Sequence, residues 1–138
     1  MIQEAIALQK RVVVPVMVPE STDLCLSELF KDSPLVPGPR GTLQPRADQV
    51  HPITTAEMDL MLVPGVAFDL LGRRLGRGSG YFDRLLSQPF KKPMPVIGLA
   101  YELQLIEHVP MTDQDRAVDK IVTEERVIDC HVDRALKP

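Results

Sequence analysis

The chain has no tryptophan, and only two tyrosines, four phenylalanines, two cysteines and three histidines among its 138 residues. With aromatics this scarce, Val, Leu and Ile must fill the interior. Cys25 and Cys130 lie far apart, with no Cys-x-x-Cys pair and no histidine at ligand spacing, which excludes structural zinc and a disulfide framework. Two reduced thiols in a cytosolic protein are the expectation. There is no basic excess either: sixteen Lys and Arg face nineteen Asp and Glu, for a net charge of −3. General nucleic-acid affinity needs a basic face over a long surface, so nucleic acid is excluded as a partner and any polyanion must be held locally. The start, MIQEAIALQKRVVVPV, lacks the basic region and long apolar stretch of a signal peptide. No apolar run is long enough to cross a bilayer. A soluble, cytoplasmic chain without a membrane partner is expected.

What is present suffices for one domain over residues 1–138, since 44% hydrophobic content supports a real core. Met1 to Gln9 has helical composition but no capping residue at its start. Arg11 to Val18 is β-branched and nearly all apolar, as in a strand buried on both faces of a parallel or mixed sheet, while Pro15 places it at an edge or breaks it. Ser33 to Pro52 is rich in Pro and Gly and predicts extended loop with a short strand. Further strands are predicted in Met58–Val63, Val96–Tyr101 and Ile121–Ile128. Helices are predicted over Gly80–Leu86 and Glu102–His108. Strands alternating with helices predict an α/β layered fold with a mostly parallel sheet.

Four of the eight glycines and four of the ten arginines fall between Gly72 and Arg84, in GRRLGRGSGYFDR. Gly76, Gly78 and Gly80 at alternate positions permit positive φ and close approach of a ligand. Successive N–H groups in such a turn make an anion-binding concavity, and guanidinium forks suit phosphate oxygens. The pattern is neither a Walker A loop, lacking Gly-Lys-Ser/Thr, nor a dinucleotide fingerprint, because Tyr81 stands at the third glycine position. It still follows a strand and precedes a helix, whose N-terminus favours an anion. Arg74 and Arg77 are read as phosphate contacts and Arg73 as a solvated surface charge. Asp83 has two readings, a carboxylate aligned with the helix dipole or a magnesium ligand.

The stretch DLMLVPGVAFDLLGRRLGRGSGYFDRLL, Asp59 to Leu86, resembles the 5-formyltetrahydrofolate cyclo-ligase family, also called 5,10-methenyltetrahydrofolate synthetases. That family carries Pro-Gly-x-x-Phe-Asp and then Gly-x-Arg-Leu-Gly-x-Gly-x-Gly-Tyr-Tyr-Asp. Pro64, Gly65, Phe68, Asp69, Gly72, Arg74, Leu75, Gly76, Gly78, Gly80, Tyr81 and Asp83 fit, and Phe82 replaces the second tyrosine. Downstream, VIGLAYELQLIEHVPMTDQDRAVDKIVTEERVI is similar to the family's closing strands and the loop with Asp115 and Asp119. Upstream, Gln44 stands where an acid is usual. The family's N-terminal segment has no match here, so an N-terminally truncated cyclo-ligase fold is expected. An apolar sheet edge left open would then invite self-association or a complementing chain.

The resemblance implies an ATP- and Mg2+-dependent closure of 5-formyltetrahydrofolate to 5,10-methenyltetrahydrofolate, with release of ADP and phosphate. It implies nucleotide contacts along Arg74, Leu75, Gly76, Arg77, Gly78, Ser79, Gly80, Tyr81 and Phe82. Arg74, Arg77 and Tyr81 would take part in catalysis, and Asp83 and Asp115 would hold Mg2+. The alternative is a catalytically impaired relative that serves as a nucleotide- or folate-binding module.

Overall fold

The computed structural model describes residues 1–131. The chain divides into two compact units, Met1–Glu57 and the residues from Met58 onward.

In the first unit, helix α1 (Ile2–Ala7) has no side-chain cap at its start, as its composition predicted. It ends because Gln9 takes a left-handed conformation (φ 58°), letting Gln9 N–H reach Ile6 O and Lys10 N–H reach Ala5 O. Strands β1 (Val12–Met17) and β2 (Leu24–Leu29) then pair antiparallel, with Val12 opposite Leu29 and Met17 opposite Leu24. This corrects the expectation of a strand buried on both faces of a parallel sheet. The partner lies a few residues onward, so a local hairpin forms, and β1 is mostly half-buried with Val16 its buried residue. Pro15 is exposed on β1, which is an outer strand of this ribbon, where a missing N–H is tolerated.

Strand β2 was not foreseen. Its outer side takes up residues 51–53: Glu28 N–H donates to His51 O and Ile53 N–H to Leu26 O. The Pro- and Gly-rich stretch forms a small hairpin of β3 (Leu35–Pro37) and β4 (Leu43–Pro45). Gln44 lies along β1, accepting from Met17 N–H (3.1 Å) and donating to Met17 O (3.4 Å). An acid there could accept the first bond but not donate the second. Arg11 grips Glu28 with two bonds of 2.9 and 2.7 Å, which holds that carboxyl below the ordinary glutamate value.

The second unit carries a four-stranded sheet in the order β10-β9-β8-β5. Strands β5 (Met61–Val63), β8 (Val96–Leu99) and β9 (Lys120–Val122) run parallel, and β10 (Val127–Asp129) is antiparallel to β9. A short hairpin of β6 (Ala67–Phe68) and β7 (Arg74–Leu75) precedes helix α2 (Tyr81–Ser87). The α/β expectation holds, with few helices. Two elements differ in kind. The single strand predicted over Ile121–Ile128 is a β9–β10 hairpin, because Thr123 Oγ1 accepts the N–H groups of Glu125 and Arg126 and turns the chain. The helix predicted over Glu102–His108 is one 3-10 turn, Glu102–Gln104, after which Ile106 N–H bonds Phe68 O.

Phe68 lies at the centre of this core with Val63, Val96, Val109, Val118 and Ile121, all at most 1% exposed. A Cβ at Gly65 or Gly98 would come within 2.7 or 2.6 Å of its ring. A single phenylalanine among branched aliphatics thus fills the interior, as the scarcity of aromatics required. Among the described residues no helix is long and apolar enough to cross a membrane.

Candidate active site

The β6–β7 hairpin owes its shape to Asp69, whose side chain is 1% exposed. Its Oδ1 accepts the N–H groups of Leu71 (3.0 Å) and Arg73 (3.1 Å). Its Oδ2 accepts Arg73 Nε (2.6 Å) and Val109 N–H (3.0 Å). A buried carboxylate persists only when compensated in this way. Arg73 is therefore its counter-ion, which corrects the reading of Arg73 as a solvated surface charge. The turn places Asp69 and Arg73, four positions apart, face to face.

Strand β7 then delivers Arg74 inward. Its side chain is 4% exposed, with Nη2 donating to Asp83 Oδ1 (2.5 Å) and Nη1 to Pro64 O (3.2 Å). The Phe82 ring lies 5.8 Å from the guanidinium carbon. Leu75, next along, is exposed. The glycine loop that follows carries Arg77 at the surface, where it makes no hydrogen bond or ion pair among the described residues. Gly78 and Gly80 adopt φ of 84° and 68°, as the glycine spacing predicted, whereas Gly76 does not. Gly76 serves close approach instead: a Cβ there would lie 3.3 Å from Arg74 Nη1. Gly80 starts α2 in the left-handed region. Arg84, one turn on from Tyr81, donates to Ser79 O (3.2 Å) and stands 5.1 Å over the Tyr81 ring.

A cleft of about 770 Å3 opens beside this helix. Gly80, Asp83 and Arg84 form one wall, and Asp113, Asp115 and Arg116 the other. Its size falls within the range of roughly 300–1,000 Å3 usual for small-molecule sites. The two carboxylates assigned to metal thus line one cleft although 32 positions separate them (115 − 83). Asp83 binds Arg74 through Oδ1, and Asp115 accepts Thr112 N–H (2.8 Å) through Oδ2. The other oxygen of each makes no hydrogen bond among the described residues. No group of three or more His, Cys, Asp or Glu that could hold a metal ion occurs among the described residues. A Mg2+ ion at a nucleotide takes one or two carboxylates and completes its shell from phosphates and water.

Of the expected nucleotide contacts only Gly80 lines this cleft; Arg74, Leu75, Gly76, Arg77, Gly78, Ser79, Tyr81 and Phe82 are not among its lining residues. Arg84 and Arg116 line it but were not singled out in the sequence; helical spacing from Tyr81 is the signal that finds the first, and nothing local finds the second. Asp119 serves structure: its carboxylate accepts Val96 N–H (2.8 Å) and pairs His131 Nε2 (2.8 Å). A second hollow, of about 570 Å3, lies in the first unit around Phe30 and His51 and contains none of the predicted site residues.

Residues 1–124 match the model of the 5-formyltetrahydrofolate cyclo-ligase family. The chain belongs to that family. The cyclo-ligase of Escherichia coli K12 is 32% identical over 119 residues, covering 86% of this chain and 65% of the relative. That of Haemophilus influenzae is 32% identical over 116 residues, covering 83% and 62%. The NMR structure of the 5,10-methenyltetrahydrofolate synthetase of Aquifex aeolicus is similar with a TM-score of 0.75 and 33% identity, over 94% of this chain and 62% of that one. A Mycoplasma pneumoniae synthetase, at 24% identity and a TM-score of 0.64, shares the fold. The chain therefore spans about 65% of the length of its E. coli relative.

Proposed function

We propose that this chain closes 5-formyltetrahydrofolate to 5,10-methenyltetrahydrofolate at the expense of ATP. The match to the cyclo-ligase family over residues 1–124 carries this reading. The cleft beside the glycine loop, with two half-engaged carboxylates, supports it.

The chemistry follows from the substrate. A formyl group on nitrogen is amide-like, and its oxygen is a poor leaving group. Transfer of the γ-phosphoryl group to that oxygen releases ADP and makes it a good one. N10 then attacks the formyl carbon, the C–O bond to phosphate breaks, phosphate departs, and N10 gives up its proton to leave the methenyl cation. Phosphoryl transfer asks a protein chiefly for positioning and charge stabilisation. Exposed Arg77 and the N–H groups of Gly76–Gly80 would hold the phosphates. Tyr81 and Phe82 would border the nucleotide. Asp83 and Asp115 would hold Mg2+, whose charge offsets that of the phosphate oxygens. No histidine is assigned a role.

The test is absorbance growth from methenyltetrahydrofolate on incubation of the chain with 5-formyltetrahydrofolate, ATP and Mg2+. Growth that needs all three supports the reading; nucleotide binding without turnover would put a binding module in its place. A charge-assisted hydrogen bond is worth about 1.5–3 kcal/mol. Arg77→Ala should therefore weaken ATP binding on the order of tenfold or more in calorimetric titration.

A further inference from the structure

We propose that Arg74 is a positioning residue that aims the Asp83 carboxylate into the cleft and does not itself touch the nucleotide. The inference deepens the functional reading above and rests on it. Two guanidiniums flank the start of the glycine loop, in opposite circumstances. Arg77 is exposed and makes no hydrogen bond among the described residues. Arg74 is 4% exposed, with one terminal nitrogen on Asp83 Oδ1 and the other on Pro64 O. The backbone passes close over it at Gly76, where a Cβ would stand 3.3 Å from Nη1 and 3.8 Å from Nη2. A phosphate reaching this group would have to break the Asp83 bond or move the loop.

Asp83 is built the other way round. Its side chain is 38% exposed and lines the cleft. One oxygen is pinned at 2.5 Å and the other makes no hydrogen bond among the described residues. Pinning one oxygen removes rotation about the carboxylate bond and leaves one direction open to a cation. Outer groups that orient a metal ligand in this way typically matter 10–100-fold, as an order of magnitude, in affinity. Coulomb's law predicts the opposite sign for a mere neighbour: removing a positive charge beside the carboxylate should tighten a cation. The two ideas therefore predict changes in opposite directions.

The experiment is Mn2+ titration of the full chain followed by electron paramagnetic resonance. It is run with and without the non-hydrolysable imido analogue of ATP, alongside analogue affinity measured without metal. Arg74→Met should weaken Mn2+ by about ten- to a hundredfold and leave the metal-free analogue affinity unchanged. In the Asp83→Asn background the same substitution should add nothing. Arg74→Lys keeps the charge but not the fork, so it should lose Mn2+ affinity in the same direction; it carries the test if the methionine variant fails to fold. Tighter Mn2+ binding, a tenfold loss of metal-free analogue affinity, or a further loss on top of Asp83→Asn would overturn the proposal. If the unsubstituted chain takes up no analogue, the functional reading falls, and the positioning role is decided by the same cycle with Mn2+ alone. No Mn2+ uptake at all overturns both.

Discussion

Asp69 shows how one buried charge organises a site it does not enter. Four donors converge on its two oxygens, three from the turn that follows it and one from Val109, forty positions later. Removing one partner of a buried pair leaves the other charge and several N–H groups uncompensated, at a cost of roughly 3–5 kcal/mol. Asp69→Ala should therefore lower the thermal midpoint, measured by circular dichroism, by on the order of 10 °C or more, at about 4–8 °C per kcal/mol for a small unit. A change of only a degree or two would show that Arg73 and the turn hold without it. The sequence motif marked Asp69 as part of a pattern. Its role as an anchor depends on Val109, and only folding brings that residue near.

The element that matters most for the site is the β6–β7 turn, and its constraint sits at Gly72. There φ is 82°, and a Cβ would fall 2.3 Å from Val118 O, a backbone atom that cannot swing aside. Gly78 in the neighbouring loop has a similar φ of 84° but nothing within 4 Å of its Cβ position. The two separate conformational cost from steric cost. Left-handed backbone costs an alanine roughly 1–2 kcal/mol, and overpacking adds about 1–3 kcal/mol more. In urea unfolding Gly72→Ala should thus lose about 2–5 kcal/mol and Gly78→Ala about 1–2 kcal/mol. Equal losses would mean that Val118 yields more readily than its place in the core suggests. The periodicity of glycine disclosed that a turn was needed, but not which glycine was also a packing site.

For the molecule as a whole, stability should be distributed unevenly. Strands β8 and β9 are each paired on both sides and carry Val96 and Ile121, both fully buried. In the first unit, β1 is half-buried and carries an exposed proline. Amides held by central, doubly paired strands open only with large-scale unfolding, whereas thinly covered ribbons open locally. Hydrogen exchange followed by NMR should therefore find the slowest amides in Ile97–Leu99 and Ile121, with those of β1 exchanging sooner. Faster exchange from β8 than from β1 would contradict this ranking.

Short-range chemistry was legible in the order of residues. The strand–glycine-loop–helix succession and the positive φ at Gly78 and Gly80 follow from local composition, because each needs only near neighbours. The apolar run of β1 misled for a related reason: burial on one face or two depends on a partner, and its partner β2 is near enough in sequence to close a hairpin. Tertiary structure alone decided which charges meet. Arg73 and Arg74 are adjacent, yet one neutralises a buried carboxylate in a turn and the other grips a carboxylate on a helix, because successive residues of extended chain point to opposite sides. The shared cleft of Asp83 and Asp115 is settled the same way, by how β7, α2 and the loop after Val109 pack.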